Sequence, residues 1–203
     1  MKPVAISSRF LKIVTAFVLL GVLSACGASG STNDSGPDSS SARGNSSEEG
    51  AHEFVVESIA YKEGDEIPVR FTCEGEDLSP PIAWSGVPED TTSFALVMED
   101  PDAPIGTWVH WVVYNLPAET NDLPAGVGSG SGLPDGAFHG KNSWGDAVYG
   151  GPCPPGGTHR YFIYVFALDT VLDLPAGASS DILRDTMKGH ILGQAQLMGK
   201  FSR

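Results

Sequence analysis

The chain has 203 residues, with 25 Asp and Glu against 12 Lys and Arg and a formal net charge of −13, which suits one ordinary soluble domain plus an N-terminal segment and excludes two domains. Lys2, Arg9 and Lys12 fall in the first 25 positions, which hold no acid, so without that stretch 9 basic residues face 25 acidic ones and the charge is −16. This balance argues against a nucleic-acid partner, which needs a basic footprint, and against peripheral binding to anionic lipid; a solvated acidic face is its plain meaning.

The three N-terminal basic residues precede an apolar run over 13–23 that ends in Leu23-Ser24-Ala25-Cys26. A charged start, a short apolar run and small residues at its end predict a secretory signal over 1–25, and the run is too short to span a bilayer comfortably. Leu-Ser-Ala-Cys resembles the bacterial lipobox, which implies a lipid-anchored protein of the bacterial cell envelope, extracytoplasmic, with acyl chains on Cys26. The alternatives are a plain signal cut near Ala25, leaving Cys26 a free thiol, and an uncleaved anchor. Residues 27–52 are rich in Ser and Gly and contain no Phe, Trp or Tyr, so with Cys26 they read as a flexible tether. Its root-mean-square span is roughly 25–30 Å.

The folded domain is expected over 53–203. Short β-type runs separated by Pro and Gly predict strands at 54–59, 67–71, 82–84, 94–99, 109–115 and 160–168. The runs 94–98 and 161–168 are nearly continuously apolar, as in central strands covered on both faces. Residues 117–158 show no clear period and are dense in Gly and Pro; the parts 133–144 and 150–158 are expected to wrap a functional site. Ser180 or Asp181 should cap a helix running to about Met198, with Leu183, Met187, Ile191, Ala195 and Met198 as its buried stripe and His190 as a structural histidine beside it.

Cys73 and Cys153 are the two cysteines of this domain. They either form a disulfide, stabilising by about 4.5 kcal/mol in the chain-entropy estimate for a loop of about 80 residues, or stand as separate thiols with Cys153 on the site's loop.

Three motifs carry the chemistry: Asp100-Pro101-Asp102-Ala103-Pro104, Trp108-Val109-His110-Trp111, and the run from Gly151-Pro152-Cys153 to His159-Arg160-Tyr161. Each couples a stiff or tightly turning backbone to a polar group, which is how a preorganised site is built. Strand alternation sets His159 and Tyr161 on one face, Arg160 and Phe162 on the other, and puts His110 with Trp108, Val112 and Tyr114. A buried imidazole needs a partner, and Asp100 is the expected partner of His110; Asp102 could instead close its turn as an Asx acceptor. Gly150, Gly151, Gly156 and Gly157 would let backbone N–H groups approach a phosphate or carboxylate.

These motifs, together with Phe71-Thr72-Cys73-Glu74-Gly75, Ser79-Pro80-Pro81, Trp84 and Gly189-His190-Ile191-Leu192, resemble the phosphatidylethanolamine-binding protein family, in its bacterial, Raf-kinase-inhibitor-like branch. The resemblance covers 54–203. It implies a mainly β domain, an antiparallel β-sandwich with peripheral helices and a C-terminal helix, and a shallow pocket for phosphate or phosphorylated head groups. Asp100, His110, His159 and Tyr161 match the family's pocket residues, Gly151 a glycine of the pocket loop, and Trp84 an aromatic near its wall. Cys153 departs from the glycine of animal members, and the following loop is shorter. The expected function is binding of a small anionic ligand without a cofactor or metal. The alternatives are a hydrolase using the His/Asp pocket directly or through a metal, and a regulator of an envelope protein.

Overall fold

The chain's structure, a computed structural model, describes residues 53–127 and 132–203. The expected signal peptide, Cys26 and the tether lie outside the described residues.

Two antiparallel sheets form the domain. Strands β1 (Val55–Glu57), β2 (Ile82–Ser85) and β5 (Asp122–Leu123) make a small sheet in the order β1-β2-β5. Strands β3 (Ser93–Asp100), β4 (Trp108–Pro117), β6 (Phe138–His139), β7 (Thr158–Leu168) and β8 (Ile191–Ser202) make a larger one in the order β6-β4-β3-β7-β8. Alternation divides the larger sheet's side chains between two cores. Phe94, Leu96 and Met98 of β3, Trp111 and Val113 of β4, and Tyr161 and Ile163 of β7 meet Val56, Ile82, Trp84 and Leu123 of the small sheet. Ala95, Val97, Val112, Tyr114 and Phe166 pack on the other face under Leu183 and Met187 of helix α1 (Ser180–Met187). The continuous apolar run of β3 is therefore buried on both faces, and the mainly β sandwich expected from the sequence is what the chain forms.

Three local expectations are corrected. Residues 67–71 do not form a strand: Pro68 opens a 3₁₀ turn at Val69–Phe71, in which the Phe71 N–H donates to Pro68 O and the Thr72 N–H to Val69 O. The last helix stops at Met187, because Gly189 takes a φ of +84° that ends it. From Ile191 the chain pairs with β7 along its whole length, so the domain closes on a strand and not on a helix. His190 consequently lies on no helix; it is exposed, and its Nδ1 lies 2.8 Å from Asp169 Oδ1.

Candidate functional site

The site lies where β3, β4 and β7 end together. The register places Met98 opposite Trp111 and Glu99 opposite Val109, which leaves His110 as the extra residue of a β-bulge. A bulge re-aims side chains, and here it overturns the simple alternation. Val112 and Tyr114 stay in the core under α1, whereas the His110 ring packs edge-on against Tyr161, at 5.2 Å between centroids, on the other face.

The charged partners also differ from the expectation. His159 Nδ1, not His110, donates to Asp100 Oδ2 at 2.7 Å, in a buried pair. Asp100 and His159 occupy even-spaced positions on the same face of neighbouring strands, so the diagonal brings them together. Asp100 Oδ1 accepts the Asp102 N–H at 2.8 Å. Asp102 does more than turn the chain: its carboxylate accepts from Arg160 N, Nε and Nη2 at 2.9, 2.9 and 2.7 Å, clamping the Asp-Pro-Asp loop to β7. The Arg160 hydrogen bonds hold the Asp102 carboxyl down at about 2.

His110 Nδ1 donates to Gly150 O at 2.7 Å, and the Gly150 N–H donates back to His110 O at 3.0 Å. The carbonyl fixes the Nδ1–H tautomer and leaves Nε2 for a ligand. Burial pushes the His110 imidazole below its ordinary pKa, against the opposing pull of the Gly150 carbonyl and the Asp100 carboxylate. Tyr161 shares the face of His159; burial, and after it Asp100, lift its phenol well above the usual range.

A cavity of about 250 Å³ opens here, lined by Asp100, Pro104, Trp108, His110, Trp144 and Cys153 among others. Asp100 is 3% exposed and His110 2%, so both are walls held by the fold and not surface groups. Trp144 stands edge-on to Trp108 at 5.3 Å and to His110 at 5.2 Å. Asn142 Oδ1 accepts the Trp144 and Asp146 N–H groups, which fixes the loop that carries that indole.

Of the six expected site residues, Asp100 and His110 line this cavity; His159, bonded to Asp100, and Tyr161, fully buried against the His110 ring, do not line it, and Trp84 and Gly151 have other places. Trp84 is in the core of the small sheet, 5.3 Å from the Phe94 ring, and does not line this cavity; the aromatic walls are Trp108 and Trp144. Gly151 does not offer its N–H to a ligand, because that group donates to Asp77 Oδ1 at 2.7 Å. A Cβ there would sit 2.6 Å from Asp77 Oδ1 and from Phe71 O, so the position needs glycine for packing. The Gly157 N–H is likewise taken, by Arg203 O.

The Cys73–Cys153 disulfide is formed, with the Cα atoms 5.5 Å apart, and Cys153 lines the cavity. Sequence reasoning missed Trp144 and the supporting Asp77, and used Trp108 only as part of a motif. Asp77 gives no local signal, since its role depends on a contact 74 residues away.

A larger cavity of about 650 Å³ lies elsewhere, among Ile59, Phe71, Ile82 and Leu123. It contains none of the clustered acid and imidazole groups, so the smaller one is the candidate site. Among the described residues no three His, Cys, Asp or Glu side chains are grouped so as to hold a metal ion.

The sequence profile of the phosphatidylethanolamine-binding protein family matches residues 57–202. A UPF0098 protein of Methanothermobacter thermautotrophicus is 48% identical over 148 residues, covering 73% of this chain and 98% of the relative. A UPF0098 protein of Aquifex aeolicus is 49% identical over 153 residues, covering 73% and 88%. Among solved structures, a putative phosphatidylethanolamine-binding protein homologue from Chlamydia trachomatis superposes with a TM-score of 0.70 at 37% identity, covering 75% of this chain and 99% of that one. Escherichia coli YbcL, described as a new member of the mammalian PEBP family, superposes with a TM-score of 0.70 at 36% identity, covering 74% and 98%.

Proposed function

The chain belongs to the phosphatidylethanolamine-binding protein family, and from that premise we propose that its Asp100–His110–His159 pocket binds a small ligand bearing a phosphate or carboxylate. The observation that carries the reading is the arrangement of the two imidazoles. Each has its Nδ1–H engaged, by Gly150 O in one case and Asp100 Oδ2 in the other, so each ring is oriented. An anionic oxygen needs a donor, and with Nδ1–H engaged Nε2 donates only in the imidazolium form. Anion binding at His110, which burial keeps neutral, therefore takes up a proton, and the ligand's charge replaces the solvation that this buried ring lacks. Trp108 and Trp144 give the cavity an apolar flank that takes the body of such a ligand.

Calorimetric titration with phosphoethanolamine tests this. Wild-type chain binds it, and His159→Ala loses binding while still unfolding cooperatively; equal affinity in the two proteins overturns the reading.

The same proposal places the domain outside the cytoplasmic membrane, held by lipid on Cys26. The family match begins at residue 57, so the anchor rests on this chain's own N-terminal sequence. Labelled palmitate incorporated by the wild type and not by Cys26→Ala is the expected result; equal labelling contradicts it.

A further inference from the structure

We propose that the Cys73–Cys153 disulfide is a redox latch on the pocket: oxidised it holds the 153–155 wall in its binding position, and reduction by a dithiol releases that wall and weakens ligand binding. The inference deepens the anion-pocket reading and rests on it for its effect on ligand.

The wall divides into two parts. Residues 149–152 are tied to the 69–77 loop by hydrogen bonds: Tyr149 Oη donates to Phe71 O at 2.7 Å, the Gly151 N–H to Asp77 Oδ1 at 2.7 Å, and the Cys73 N–H to Pro152 O at 3.2 Å. Residues 153–155 are not so tied. Pro154 and Pro155 have no N–H, and Gly157 is the next residue along the chain whose N–H reaches a backbone partner, Arg203 O at 2.9 Å. Yet Cys153 and Pro155 are the members of this loop that line the cavity. Their anchorage is the covalent bond to Cys73.

Both cysteines are exposed, so a reductant can reach them. The Arg203 guanidinium lies 3.5 Å from Cys153 Sγ and favours a thiolate there. A dithiol's thiolate therefore attacks Cys73 Sγ, the Cys73–Cys153 bond breaks, and Cys153 leaves as the stabilised thiolate. The dithiol's second sulfur then displaces Cys73, so the dithiol is oxidised to its disulfide and two cysteine thiols are formed. Electrons and protons balance with no other reactant.

The test uses the full chain in a Cys26→Ser background, either oxidised or reduced with excess dithiothreitol, titrated with phosphoethanolamine. The expected result is an affinity at least tenfold lower after reduction, recovered on reoxidation, and equally low in Cys153→Ser without reductant. Arg203→Gln should slow the reduction severalfold while leaving oxidised affinity unchanged. The Gly156 amide signal, followed by NMR without ligand, gives a second readout: reduction should broaden or shift it more than the Gly151 amide, which Asp77 holds. Unchanged affinity, or an unchanged Gly156 signal on reduction, overturns the latch. Absence of binding in the oxidised protein overturns the anion-pocket reading instead, and the Gly156 signal still decides the latch.

Discussion

Replacing Gly151 by alanine tests whether this glycine serves packing or ligand contact. The added Cβ would lie 2.6 Å from Asp77 Oδ1, 2.6 Å from Phe71 O and 2.8 Å from Thr72 Cα. The Asp77 side chain can move, but only by giving up the Gly151 N–H. The other two neighbours are backbone, held by Tyr149 Oη on Phe71 O and by the adjacent disulfide at Cys73. Overpacking of this kind costs about 1–3 kcal/mol, and loss of the hydrogen bond to a carboxylate adds about 1–2 kcal/mol. The sum, about 2–5 kcal/mol, lowers Tm by about 4–20 °C in a domain of this size. Gly156→Ala, where an added Cβ meets nothing within 4 Å, is the matched control and should lose no stability. Urea unfolding of the three proteins decides: a Gly151→Ala loss below about 1 kcal/mol refutes the packing argument.

Three further outcomes follow from the site. His110 has a folded pKa below its unfolded value, so the unfolded chain takes up this proton first as pH falls; stability should drop between pH 6.5 and the lower folded pKa and be unaffected by this group above 6.5. His110→Gln should flatten that part of a stability–pH curve, and an unchanged curve contradicts it. Asp102 is depressed from 3.8 to about 2, so its contribution is present above pH 3.8 and is lost as pH falls through about 2; Asp102→Asn should show a shallower acid limb in the same window, measured by circular dichroism. Phosphoethanolamine affinity measured by calorimetry should fall severalfold in Trp144→Ala, which removes a cavity wall, and stay within twofold in Trp84→Phe, which alters only the core; the reverse order would return Trp84 to the site.

The residues that were legible in the sequence are those whose signal is local. The apolar runs of β3 and β7 name two neighbouring strands of the larger sheet, and the site motifs stand at strand ends because their Pro and Gly residues stop pairing there. The last third misled for a physical reason. Leu183, Met187, Ile191, Ala195 and Met198 fit a helical stripe, but Ala195, Leu197, Gly199 and Phe201 also alternate at period two, and they are the residues β8 buries. Gly189 was the available stop signal. The pairing of Asp100 with His159 was not legible, because it depends on the register of β3 with β7. His110 turns toward Tyr161 through a bulge that alternation cannot anticipate.

The central claim, an anion pocket at Asp100, His110 and His159, is tested most directly by NMR titration of the indole N–H signals with phosphoethanolamine. The chain has four tryptophans: Trp108 and Trp144 line the cavity, while Trp84 and Trp111 belong to the core between the sheets. Saturable shifts are expected at Trp108 and Trp144 with Trp84 and Trp111 unmoved, and loss of those shifts in His159→Ala. Shifts at Trp84, or none at Trp108 and Trp144, would contradict it.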